Sequence, residues 1–210
     1  MKIKFEAPFT TENPHDEITR YLKSACAGWI RGVFSIQPRL DHHALEFLFW
    51  LTRDDNERTE DILDILLTKA DQERLLPEIK NAWGEPDELA NVVRVTINRS
   101  APGRRVAAVR ELNPYLAKWA AEHKAMTDSV PARQLQRTKE TFGLTDHEVE
   151  LCFFLSVIEW HRGPRHFFDS HLNCDQSEGR AFLQAALGWD QATLHATQNG
   201  KIRRIGVLGH

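Results

Sequence analysis

The chain has 210 residues, 41% of them hydrophobic, which suffices for one large domain or two small ones and excludes a disordered polymer. The formal charge of -3 conceals an asymmetry, because residues 1–100 hold 13 Lys/Arg against 18 Asp/Glu, whereas residues 101–210 hold 14 against 12. Three cysteines make no disulfide framework, the N-terminus carries no apolar signal core, and no apolar run nears the ~20 residues of a membrane span, so a reduced, cytoplasmic protein is expected.

Pro14, Asp16 and Glu17 open the first predicted helix, since proline and acids suit a first turn. Its Ile18, Tyr21, Leu22, Ala25, Cys26, Trp29 and Ile30 recur with a period of 3.6, so one face is buried. A second helix starts near Leu40 with Asp41 as cap. Its stretch Leu45–Leu51 is apolar nearly all round, which marks the centre of a bundle. His42 and His43 follow that cap and read as half-exposed side chains in preference to ligands.

A third helix fits 56–70, with Asn56 as N-cap, Glu57, Glu60 and Asp61 in its early turns, and Ile62, Leu63, Ile65, Leu66 and Leu67 inward. Leu75, Leu76, Ile79 and Trp83 continue the helical pattern until Gly84-Glu85-Pro86 stops it. The next segment, 87–97, is open between helix and strand, because Val92-Val93-Arg94-Val95-Thr96-Ile97 is rich in β-branched residues. Pro102-Gly103 marks a loop, followed by helices over 106–110 and 114–126. Thr127–Pro131 reads as a linker dividing an N-terminal helical domain, 1–126, from a C-terminal module, 127–210.

Cations gather from Arg94 to Lys139, where ten Lys/Arg face only Glu111, Glu122 and Asp128. A solvated face is the first reading and attraction of phosphate or an acidic partner the second.

The module opens with a polar helix over 132–142 that Gly143 stops. Thr145-Asp146-His147-Glu148 has capping-box spacing, and the helix it opens, 149–160, is almost wholly apolar. Further on, Ser177 caps a short helix burying Phe182, Leu183, Ala186 and Leu187. Gly188 makes a turn, Asp190 caps a second helix and Leu194 buries it, which is helix-turn-helix grammar. Asn199-Gly200 signals a tight turn, and Lys201–Leu208 is β-branched enough for a first wing strand. The expected fold is therefore mainly α: a helical bundle followed by a winged-helix-like module with a short β wing.

That shape does not make a DNA reader. The second helix offers Gln191, Thr193, His195, Thr197 and Gln198 but no cation, and Lys201, Arg203 and Arg204 supply phosphate contacts alone, hence weak, nonspecific nucleic-acid binding at most.

Leu144-Thr145-Asp146-His147-Glu148, then Phe182-Leu183 with Leu187-Gly188-Trp189, then Asn199-Gly200-Lys201-Ile202-Arg203-Arg204-Ile205-Gly206-Val207-Leu208, resemble the region preceding the ATPase core in certain bacterial AAA+ ATPases. The resemblance spans about residues 130–208. It implies a non-catalytic recognition or regulatory region that contacts a partner protein or the ATPase domain of the same polypeptide. The phosphate loop would then lie beyond residue 210, since Gly200-Lys201 is followed by Ile202 and not by a hydroxyl residue. No catalytic residue and no cofactor is expected within the chain itself.

Two alternatives stand beside this reading: a winged-helix DNA-binding regulator, and a metal-binding protein or hydrolase. The second would use His161, His166, His171 and Cys174, with Glu159 and Asp169 nearby, although His-x4-His-x4-His-x2-Cys matches no standard zinc spacing. Cys152 lies among Leu151, Phe153 and Phe154, where a thiol is inert. Trp160, Phe167, Phe168 and Trp189 are the candidates for a partner-facing aromatic surface.

Overall fold

The computed structural model describes residues 17–100, 102–172 and 176–204. These form helices α1 (Glu17–Ile36), α2 (His42–Thr52), α3 (Asn56–Leu66), α4 (Lys69–Asn81), α5 (Pro86–Arg99), α6 (Pro102–Ala125), α7 (Val130–Phe142), α8 (Asp146–Trp160), α9 (Arg162–Leu172), α10 (Gln176–Leu187), α11 (Gln191–Gln198) and α12 (Lys201–Arg204). No strand occurs among the described residues, and among them no helix is long and apolar enough to cross a membrane.

Two helices organise the rest. The periodic apolar face of α1 becomes a spine, with Ala25, Cys26, Trp29, Ile30 and Val33 buried and α6, α7 and α10 packed around it. A side chain at Gly32 would overlap the Ala185 carbonyl, so the glycine sets how closely α10 crosses α1. As its composition requires, α2 is buried from Ala44 to Phe49, and it packs between α5 and α9. Buried apolar side chains run as one cluster from Ala25 to Ile202, across the boundary expected near residue 126.

The open segment 87–97 is helical. Leu89, Ala90, Val93 and Ile97 fall on one buried face against α2, and that packing outweighs the modest helix penalty of valine and isoleucine. The two helices expected over 106–126 are one, because α6 runs through Pro114. The lost amide bond there is offset by Leu112 and Leu116, both fully buried on either side. The cap of α3 is Asp55 and not Asn56: the Asp55 carboxylate accepts the Arg58 amide at 3.1 Å, while Asn56 Oδ1 accepts the Trp83 indole N–H at 3.0 Å. Helix α10 begins at Gln176, one residue before the expected Ser177 cap.

In the C-terminal region the capping box forms as written, and Gly188 turns left-handed at φ 69° while the Trp189 amide reaches back to the Gln184 carbonyl at 2.9 Å. Asp190 caps α11 by accepting the Thr193 amide at 2.7 Å. The wing strand expected from Lys201 is instead the short helix α12 over Lys201–Arg204, and residues 205–208 lie outside the described residues. The buried Glu148 carboxylate explains the change. It accepts the amides of Lys201 and Ile202, the free donors of a helix start, and Ile202 is fully buried beneath it. Gly200 permits the approach, since a Cβ there would collide with Glu148 Oε1.

Candidate functional site

The densest chemistry lies at the N-terminal end of α2. Asp41 caps that helix by accepting the Ala44 amide at 2.9 Å, which places His42 and His43 in the first turn and Glu46 one turn later. Glu46 is a charged group in the core, its side chain only 4% exposed. Helix α9 reaches it because Phe167 and Phe168 are buried against Phe47, with ring centroids 5.3 and 5.8 Å away. That anchoring sets His166 beside the carboxylate: His166 Nδ1 lies 3.0 Å from Glu46 Oε2 and 3.2 Å from Oε1.

His43 Nδ1 lies 3.9 Å from Glu46 Oε2, too far for a hydrogen bond. The Arg162 Nε stands 3.6 Å from Oε1 on a side chain that is 70% exposed. On the other flank the start of α5 brings Asp87 to His42, Nε2 to Oδ1 at 2.9 Å. The Nδ1 atoms of both His42 and His43 are buried without a hydrogen-bond partner. Ligand atoms of His43, Glu46 and His166 lie within 4.8 Å of one another, and the same holds for His42, Glu46 and Asp87.

Of the metal candidates read from the sequence whose side chains lie among the described residues, His161 and His166, only His166 joins such a group. His161 caps α8 instead, its ring 5.4 Å from that of Trp50, and burial lowers its basicity. The His171 side chain and Cys174 lie outside the described residues. His43 and Glu46 were missed as partners of His166, and His42 with Asp87 as a neighbouring group around Glu46. The His43-x-x-Glu46 spacing on one helix face was the available signal, but the third group is 120 residues from Glu46.

The aromatic candidates separate. Trp160, at the end of α8, is 82% exposed, whereas Phe167 and Phe168 are core residues and Trp189 is buried with its indole N–H donated to Glu150 at 3.1 Å. A partner-facing role for those three is corrected by their burial. Lys201 and Arg203 are exposed, though Lys201 Nζ donates to the Gly143 carbonyl at 3.4 Å and Arg203 to Asn199 Oδ1 at 3.0 Å; the Arg204 side chain lies outside the described residues. Part of the cation-rich stretch lines a cleft of about 610 Å³, where Lys124, Arg133 and Arg137 stand with Tyr21 and His123. Burial raises the pKa of Cys26 and Cys152, with Glu148 adding to the effect at Cys152, which disfavours the thiolate at both.

Compared with known proteins, the chain matches no family model, no curated protein and no solved structure.

Proposed function

We propose that the chain is the non-catalytic recognition or regulatory region of a bacterial, cytoplasmic AAA+ ATPase, acting through protein–protein contacts with Trp160 at the centre of the contact surface. The exposure of Trp160 carries the reading. A tryptophan 82% open to solvent, at the end of a helix whose inner face is buried, is the residue type that dominates protein interfaces when covered. The motif resemblance over 130–208 supports the ATPase context, and the order of α10, the Gly188 turn and α11 supports the reading of a helix-turn-helix in a degenerate winged helix. The partner is a protein, or the ATPase domain of the same polypeptide.

The test begins with the reading frame beyond codon 210, expected to encode a Gly-x-x-x-x-Gly-Lys-Ser/Thr loop. Residues 1–210 alone should give no heat with Mg-ATP. Binding of this chain to the ATPase domain or its partner should weaken by about tenfold or more for Trp160→Ala, with unchanged circular dichroism. ATP turnover by residues 1–210, or full binding by Trp160→Ala, overturns the proposal.

A further inference from the structure

We propose that His43, Glu46 and His166 form a binding site for a divalent transition metal of the zinc class, clipping α9 to the first turns of α2. The site goes beyond the contact function proposed above and does not depend on it, since Trp160 takes no part in it.

The donors are those that zinc prefers among nitrogen and oxygen ligands: two imidazoles and a carboxylate, with a fourth position left for water. A tetrahedral zinc with bonds of about 2.0–2.2 Å holds its ligand atoms roughly 3.3–3.5 Å apart. The separations from Glu46 Oε2, 3.0 Å to His166 Nδ1 and 3.9 Å to His43 Nδ1, bracket that value, so small side-chain rotations would close the set. His166 is 36% and His43 42% exposed, so the ion enters from the surface once a rotation of the His43 ring uncovers its buried Nδ1.

Two further observations point to a missing ligand. His43 Nδ1 is a buried polar atom without a hydrogen-bond partner, an expense that a coordinate bond removes. Glu46 is a carboxylate at 4% exposure whose nearest permanent cation, Arg162 Nε, stands 3.6 Å away, beyond hydrogen-bond reach. A dication bound by both histidines neutralises that charge. The alternative set, His42, Glu46 and Asp87, is less suited, because His42 Nε2 is already engaged by Asp87 Oδ1 at 2.9 Å.

The experiment uses the whole 210-residue chain after chelator treatment, titrated with Zn²⁺ by calorimetry and with Co²⁺ by visible absorption. One Zn²⁺ per chain is expected at micromolar affinity or tighter, together with a tetrahedral Co²⁺ spectrum lacking a thiolate charge-transfer band. His43→Ala, His166→Ala and the shape-preserving Glu46→Gln should each weaken Zn²⁺ binding by about tenfold or more. His147→Ala, on an exposed histidine outside the group, should bind as the parent does. Zinc should also raise the melting temperature of the parent and not of the three ligand variants. Absence of stoichiometric binding by the parent, retention of parental affinity in the ligand variants, or a cobalt–thiolate band overturns the site. Circular dichroism confirms folding of each variant, and His43→Gln replaces His43→Ala should the latter fail to fold.

Discussion

Glu148 holds two parts of the C-terminal region together with one carboxylate. Its Oε2 accepts the amide of Thr145 at 2.9 Å and the hydroxyl of Thr145 at 3.0 Å, and its Oε1 accepts the amides of Lys201 and Ile202. Desolvation pushes its pKa up, but the amides of Thr145, Ile202 and Lys201 and the Thr145 hydroxyl outweigh it and leave the group below its ordinary value. A carboxylate of depressed folded pKa stabilises above its unfolded value, about 4.3, and that contribution disappears as the pH falls through the folded value. Glu148→Ala should cost roughly 2–3 kcal/mol at neutral pH, because it strands cap amides including the buried one of Ile202. Glu148→Gln keeps an acceptor oxygen, so it should cost less and flatten the loss of stability between about pH 5 and pH 3. Urea unfolding at a series of pH values measures both, and an acid limb as steep in Glu148→Gln as in the parent would show that the carboxylate is not the titrating group.

At the scale of elements, the legible features were local ones. Asp41, Thr145 and Asp190 lie within three residues of the amides they cap, so their side-chain chemistry alone announces α2, α8 and α11. Features fixed by distant partners were not legible. Lys201–Arg204 carries strand-like signals, but the carboxylate that starts α12 lies more than fifty residues earlier in the chain. In α5, contact with α2 decided between two local preferences that the sequence left balanced. The anchoring of α11 is testable through Leu194, which is 3% exposed on this helix, packed against α8 and α12. Leu194→Ala should cost about 2–5 kcal/mol, read as a lower urea midpoint with an unchanged m-value. A cost below about 0.5 kcal/mol would mean that α11 is not anchored by this side chain.

For the whole molecule, the charge layout argues against sequence-specific DNA binding and is more informative than the net charge. The exposed positions of α11 include Gln191 and His195, and the helix has no lysine or arginine to place against a base edge. Its Thr197 is buried, which removes another polar contact. Cations lie on other helices, among them Lys201 and Arg203 on α12 and the stretch from Arg94 to Lys139 spread over α5, α6 and α7. Such an array can hold phosphates but has no side chain set to read sequence. Duplex DNA should therefore bind weakly, without sequence preference, and lose most of its affinity between about 50 and about 200 mM salt. Fluorescence anisotropy on random and genomic duplexes measures this. A preference of about a thousandfold for one sequence at physiological salt, abolished by Gln191→Ala or His195→Ala, would make α11 a recognition helix and replace the proposed protein-contact function with a DNA-binding one.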